Sequence, residues 1–310
     1  MSKKILSCDW GTTSFRLRLI ETDTGNVLAE VNNGKGIAAV YNDWKDAGLP
    51  VEQRGGFYKK ILHQQINRFT SKIETNIPLI ISGMASSSIG MKEIEYKDLP
   101  FNLTTDQLNA VKLDADENIN HDIILVSGLK TSDDVMRGEE TMLLGCELNA
   151  DQTTLAIFPG THSKHVTVEK NVVTTFKTYL TGELFDLLAT KSVLANSVHK
   201  NDNGAYNNIF KKGVEEGCST NLLNSAFHVR TNVLFKKYTA EENYHYLSGL
   251  VIGHELKEIN QQKNILLVCN QQLEQKYLDA IKVISPASVV TSVNADEALI
   301  KAHCKLAILY

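Results

Sequence analysis

The chain carries one short arrangement twice, and that doubling constrains its fold more than any other feature. Asp9-Trp10-Gly11-Thr12-Thr13-Ser14 and Phe158-Pro159-Gly160-Thr161-His162-Ser163-Lys164 each follow an apolar run and each lead into a β-branched one. The reading is strand, glycine-hydroxyl turn, strand, once in each half of the chain. A glycine in such a turn lets backbone N–H groups approach an anion, and the neighbouring hydroxyls add donors, so the turn suits a polyphosphate. One Gly-Thr turn is equally well a plain tight hairpin. The second copy, and the Asp ahead of the first, favour two lobes that grip one nucleotide. A length of 310 residues agrees, because chains of this size divide into about two domains.

Hydrophobic periodicity fills in the rest. Residues 5–8, 15–21 and 26–31 read as strands, with Asp23-Thr24-Gly25-Asn26 as a hairpin turn, and such an antiparallel trio is a ribonuclease-H-like opening. Phe57, Ile61, Leu62, Ile66 and Phe69 predict a helix over 54–73. Buried strands follow at 78–83 and 123–128, with the hydroxyl-rich Ser86-Ser87-Ser88 after the first of them, and a helix over 134–147 ends the lobe. The second half repeats the order: a hairpin over 154–168, a strand at 172–178 and a helix from Gly182. A poorly marked helical stretch spans 192–240, then come a helix over 244–260, a strand at 264–268, a helix over 273–283, an edge strand at 288–292 and a last helix over 295–304. The expected fold is α/β in two lobes, residues 1–148 and 149–310, each opening on one of the two turns.

A formal net charge of −4 argues against a general nucleic-acid binder, which needs a basic face. The five cysteines form no CxxC pair and no metal-ligand spacing, so they read as reduced thiols. The N-terminal apolar run is too short for a signal peptide, and no run approaches the roughly 18 residues of a membrane span. A cytoplasmic protein with a small-molecule ligand is expected, with no nucleic acid, no membrane and room for a homo-oligomer.

Several residues stand where chemistry could occur. Asp9, at the end of an apolar strand and just before Gly11, Thr12 and Thr13, could hold a magnesium ion that bridges nucleotide phosphates. Arg16 and Arg18 share a strand face, and Arg16, nearer the turn, could fork onto a carboxylate or phosphate of the substrate. Arg137-Gly138-Glu139-Glu140 opens a helix; either carboxylate could cap it, or one could serve as general base, with Glu139 preferred over Glu140. Gly160, Thr161, His162 and Ser163 make the second phosphate turn, and Lys164 could neutralise charge on a transferring phosphoryl group. Gly83, Met84, Ser86 and Ser88, at a strand end of the kind where open sheets place ligands, read with Arg137 and Glu183 as a substrate pocket. Gly249, among small residues spaced along a helix, permits close approach of an adenine ring or of a second helix.

With these residues in place, the chain resembles the 2-dehydro-3-deoxygalactonokinase family of the hexokinase, Hsp70 and actin superfamily. The matching residues are Asp9 to Thr13 with Arg16, Arg137-Gly138-Glu139-Glu140-Thr141 with Leu144-Gly145, Pro159 to Lys164, and Thr181-Gly182-Glu183-Leu184-Phe185. The resemblance implies two ribonuclease-H-like lobes with the active site in the cleft between them, and ATP-dependent phosphorylation of the 6-hydroxyl of 2-dehydro-3-deoxy-D-galactonate, with magnesium, in galactonate breakdown. Two departures stand out: the loop over 83–91 lacks the Arg and Trp such loops carry, and Val268-Cys269-Asn270 stands where a Gly-rich adenosine turn is expected. Alternatives are a kinase for another keto-deoxy sugar acid and a nucleotide-dependent switch without an acceptor. The polar loop favours a kinase, since a switch needs no substrate pocket.

Overall fold

The structure, a computed structural model, describes residues 4–70, 73–104, 106–200 and 207–309. It divides into two compact units, Met1–Glu147 with Asp296–Tyr310, and Leu148–Ala295. The first unit contains β1 (Lys4–Trp10), β2 (Phe15–Glu21), β3 (Val27–Asn33), α1 (Ile37–Asp46), α2 (Arg54–Ile66) and β4 (Leu79–Gly83). It continues with β5 (Lys97–Asp98), β6 (Phe101–Asn102), β7 (Ala110–Leu113), β8 (Ile123–Val126), β9 (Leu129–Lys130), β10 (Val135–Met136) and α3 (Glu139–Gly145). The second holds β11 (Thr153–Phe158), β12 (Ser163–Glu169), β13 (Val172–Tyr179), α4 (Thr181–Thr190), α5 (Asn207–Ser219), α6 (Leu222–Leu234) and α7 (Ala240–Leu256). It ends with β14 (Asn264–Cys269), α8 (Gln271–Ile284) and β15 (Val289–Asn294), after which comes α9 (Ala295–Leu309).

Both units use one topology. In the first, the sheet runs β3-β2-β1-β4-β8-β7; in the second, the corresponding strands run β13-β12-β11-β14-β15. Each begins with an antiparallel meander, β1/β2/β3 or β11/β12/β13, and then adds two parallel strands beside the first strand of the meander. Even the irregularity recurs, since the pairing slips between Leu19 and Ile20 in one meander and between Thr167 and Val168 in the other. The central strands are buried on both faces, which is why β4 reads Leu-Ile-Ile-Ser-Gly without polar alternation. On one face of the first sheet, Leu6, Cys8, Trp10, Phe15 and Leu17 pack with Ile37, Val40, Tyr58, Ile61 and Leu62 of α1 and α2.

Where the sequence reading divides the chain as 1–148 and 149–310, residues 296–310 group here with the first unit. α9 buries Ala298, Leu299, Ile300, Ala302, His303 and Leu306. His303 bonds Ser7 of β1 at 2.7 Å and Ser82 of β4 at 3.1 Å, so the helix covers the first sheet. Burial pushes this imidazole down to about 3, so it stays neutral. Some helix ends also differ. The helix expected over 54–73 stops at Ile66, and residues 71–72 lie outside the described residues. That over 134–147 starts only at Glu139, because Val135 and Met136 pair with β9 instead. α7 starts at Ala240 rather than 244, because Thr239 and Glu242 form a reciprocal capping box. Among the described residues no helix is long and apolar enough to cross a membrane.

Candidate active site

The first glycine turn is held from behind. Gly11 donates its N–H to the Ser14 carbonyl at 3.0 Å, while the carbonyls of Gly11 and Thr12 accept the N–H groups of Ile37 and Ala38, at the start of α1, at 2.9 and 3.1 Å. A planar trans peptide points its N–H opposite to its carbonyl, so the N–H groups of Thr12 and Thr13 face away from α1. The side chains of Thr12, Thr13 and Ser14 are exposed. Gly36, just ahead of α1, is required by this contact, because a Cβ there would collide with the backbone of Thr12 and Thr13.

The second turn is built the same way. Gly160 and Thr161 offer their carbonyls to the N–H groups of Gly182 and Glu183, at the start of α4, at 3.2 and 3.1 Å. A Cβ on Gly182 would lie 2.7 Å from the Gly160 carbonyl oxygen. The N–H groups of Thr161 and His162 therefore turn away from α4, as those of Thr12 and Thr13 turn from α1. His162 meets Glu183 at 2.5 Å, so this carboxylate sits beside the second turn. Lys164 is buried and donates to the His162 carbonyl at 3.1 Å, which makes it a brace of the turn. Ser163 is fully buried.

What distinguishes the first turn is acid. Asp9 lies opposite Arg16 in the β1/β2 pairing and opposite Ser82 in the β1/β4 pairing. Burial raises its carboxyl above the usual range; Arg16 opposes this, and the charges of Asp296 and Glu139 add to it. Arg16 pairs with Asp296 at the start of α9, as does Arg18 at 2.9 Å, so the two arginines face a helix of their own unit, and Arg16 has a protein carboxylate where a ligand's was expected. Asp9, Ser14, Arg16, Asn32 and Asn33 line a hollow of about 260 Å³.

The two glutamates at α3 have different surroundings. Gly138 takes a positive φ of 114°, and its N–H meets both oxygens of Glu140, at 2.9 and 2.8 Å, with Thr141 adding its hydroxyl at 2.8 Å. Glu140 is only 1% exposed, and burial, followed by the charge of Glu139, pushes it up to about 7. It is committed to the start of its own helix. Glu139 is half-buried, accepts the Arg137 N–H at 3.1 Å and couples electrostatically to Asp9.

The 83–91 loop is less open than its hydroxyls suggest. Ser86 is fully buried and donates to the Val126 carbonyl at 2.6 Å, so its hydroxyl serves the fold and not a substrate. Gly83 is buried against the Trp10 backbone; Met84 is half-buried, and Ser88 is exposed. Arg137 reaches this loop. Its Nη1 donates to the Ser86 carbonyl at 2.6 Å and to the Ser86 hydroxyl, its Nε to Tyr96 at 3.3 Å, and its guanidinium stacks 4.2 Å from the Tyr96 ring centroid.

In the second unit Gly160 and Thr161 border a cavity of about 670 Å³ that Phe185, Tyr244, Ser248, Asn270, Lys276 and Tyr277 also line. Its size and mixed aromatic and polar wall suit a nucleoside. Sequence reasoning missed most of this wall, because α7 and α8 carry no phosphate-type motif. One signal was Asn270, whose side chain caps α8 by accepting the Leu273 N–H at 3.2 Å where a Gly-rich turn was expected; the other was the small-residue stripe around Gly249. Gly249 faces away from the cavity: a Cβ there would strike the Phe210 carbonyl of α5, so it serves the crossing of α5 and α7, and its neighbour Ser248 lines the wall.

For a metal, the donors near the first turn are the carboxylates of Asp9 and Glu139 and the hydroxyls of the turn. Among the described residues no group of three or more His, Cys, Asp or Glu forms a dedicated cage. This donor set fits magnesium, which takes one or two carboxylates and fills its shell with phosphate oxygens and water.

A family model for 2-keto-3-deoxy-galactonokinase matches residues 9–305. A Rhizobium meliloti (strain 1021) protein assigned as a 2-dehydro-3-deoxygalactonokinase, DgoK1, is 33% identical over 306 residues, covering 94% of this chain and 92% of the relative. The 2-dehydro-3-deoxygalactonokinase of Escherichia coli (strain K12) is 29% identical over 319 residues, covering 96% and 95%. A crystal structure of a Sinorhizobium meliloti protein assigned the same activity superposes with a TM-score of 0.82 at 30% identity, over 98% of this chain and 96% of that one. The chain belongs to the 2-keto-3-deoxy-galactonokinase family.

Proposed function

We propose that the protein is a cytoplasmic kinase that transfers the γ-phosphoryl group of ATP to the 6-hydroxyl of 2-dehydro-3-deoxy-D-galactonate, a step of galactonate breakdown. The observation that carries this reading is a strand-end carboxylate, Asp9, set directly before a hydroxyl-rich glycine turn whose Thr12, Thr13 and Ser14 are exposed, in a chain of this family. Two neighbouring carboxylates can divide the work of phosphate handling and proton removal.

The cavity of the second unit takes the nucleoside, and the outward N–H groups of Thr161 and His162 meet its phosphates. Thr12, Thr13 and Ser14 offer the corresponding donors in the first unit. Asp9 would hold magnesium, which supplies charge neutralisation on the phosphate oxygens when bound. Glu139 takes the proton from O6 as that oxygen attacks phosphorus and ADP departs. Glu140 is not the base, since both its oxygens accept the Gly138 N–H. Arg137 reads the acceptor carboxylate. Its Nε and Nη1 are held by Tyr96 and Ser86, and among the described residues Nη2 makes no hydrogen bond, which leaves it to meet an anion.

The test is a coupled assay of ADP release against a panel of keto-deoxy sugar acids, with phosphorus NMR of the product. Turnover with 2-dehydro-3-deoxy-D-galactonate, giving a phosphate ester at C6, is expected. Faster turnover of a different sugar acid would reassign the acceptor. ADP release that no member of the panel stimulates would point to a nucleotide-dependent switch.

A further inference from the structure

The two turns differ in what holds the N–H of their glycine. In the first it is a backbone carbonyl, that of Ser14. In the second it is a side chain: Gly160 donates to the Ser163 hydroxyl at 3.3 Å. Ser163 in turn lies 3.2 Å from the Tyr277 hydroxyl, which donates to Oε2 of Glu255 at 2.7 Å, and His165 meets Oε1 of the same carboxylate at 2.9 Å. None of these four side chains is more than 6% exposed as a residue.

The direction of every proton in this chain follows from its end. A carboxylate only accepts, so His165 Nε2 and Tyr277 both donate to Glu255. With its own proton so committed, the Tyr277 oxygen can only accept from Ser163. The Ser163 oxygen then presents lone pairs to the Gly160 N–H. Burial and the adjacent Glu255 hold the Tyr277 phenol well above its ordinary range, so it keeps its proton. Tyr277 also lines the nucleoside cavity, and Glu255 extends from α7, the helix that supplies Ser248 to the same wall.

We infer that Tyr277, oriented by Glu255 and His165, is a positioning residue that acts through Ser163 to set the second phosphate turn and tie its shape to the nucleoside cavity. This rests on the nucleotide reading of that cavity. These four side chains act through the backbone of the turn: the network turns the Gly160 N–H inward, and with it fixes where the next two N–H groups point. A buried hydrogen-bond chain of this kind is cooperative, so losing one link disturbs the rest.

The experiment is calorimetric titration of ADP into wild type, Tyr277→Phe, Ser163→Ala and the double variant, together with KM for ATP and for the sugar acid and a thermal melt. Each single variant is expected to weaken ADP binding and raise KM for ATP about five- to tenfold, as for loss of one buried hydrogen bond, with KM for the sugar acid unchanged. The double variant should lose no more than about twice what the worse single variant loses, because one chain is broken in either place. Wild-type ADP affinity in both single variants overturns the inference, as does an equal rise in both KM values. If Tyr277→Phe does not fold, Ser163→Ala decides alone. Failure of the wild-type protein to bind ADP overturns the nucleotide reading along with it.

Discussion

The turns at Gly11 and Gly160 are one backbone device carrying opposite chemistry. Both follow the first strand of a meander, and both fix two successive carbonyls on the N–H groups that open the helix after the third strand. Yet where the first has Asp9 two residues before its glycine, the second has Phe158, which is 4% exposed. The first turn is set against acidic groups, Asp9, Glu139 and Asp296, with Arg16 among them; the second against an aromatic wall and lysines. The backbone pattern therefore fixes where N–H groups point, and on the reading proposed above the neighbouring side chains decide whether the turn handles a metal and a proton or a nucleotide. A scaffold that satisfies its own carbonyls can be copied without copying its function.

The comparison breaks most easily at its acidic side. Asp9→Asn removes a carboxylate at almost no cost in volume, and kcat is expected to fall by about 10³-fold while the melting temperature holds or rises, since burial already disfavours the charge. Kinetics within a few-fold of wild type would remove Asp9 from the machinery. Glu139→Gln should lower kcat by about 10²-fold, with KM for ATP changed much less. If Glu140→Gln proves the more damaging of the two, the roles of the glutamates are reversed.

The smallest effect concerns pH. Glu140 is raised in the fold from an ordinary 4.5 to about 7, so the folded protein binds its proton more tightly than the unfolded chain does. Its contribution to stability is therefore fully present below about pH 4.5 and is lost as the pH rises through 7. Melting temperatures of wild type and Glu140→Gln across that window should converge at the acid end and separate toward pH 8, the variant being the less pH-sensitive. Parallel curves would show that Glu140 titrates normally.

The doubling was legible in the sequence because glycine, hydroxyl and β-branched residues must stand in fixed order to make strand, turn and strand. The carbonyl-to-helix contacts behind the turns were not, since they join Gly11 to Ile37 and Gly160 to Gly182 through backbone atoms that carry no residue signature. Asp9 and the Arg137-to-Glu140 run stood out because charge at the end of an apolar strand needs a reason. Asp296 did not, because an acidic residue at a helix start is ordinary capping, and only the return of α9 to the first sheet brings it to Arg16 and Arg18. Tyr277 and Glu255 were hidden for the same reason: each reads as one ordinary residue of its helix until α7 and α8 meet.

The division of labour between the turns is tested most directly by titrating ATP, with magnesium chelated, into wild type, Asp9→Asn and Gly182→Ala. The added methyl of Gly182→Ala would stand 2.7 Å from the Gly160 carbonyl and 2.8 Å from Thr161 Cα, which displaces the second turn without altering any charge. The account predicts that Asp9→Asn binds metal-free ATP within about threefold of wild type, or more tightly, and that Gly182→Ala loses at least about tenfold, some 1.4 kcal/mol. Loss of metal-free ATP binding in Asp9→Asn as large as that in Gly182→Ala would contradict it.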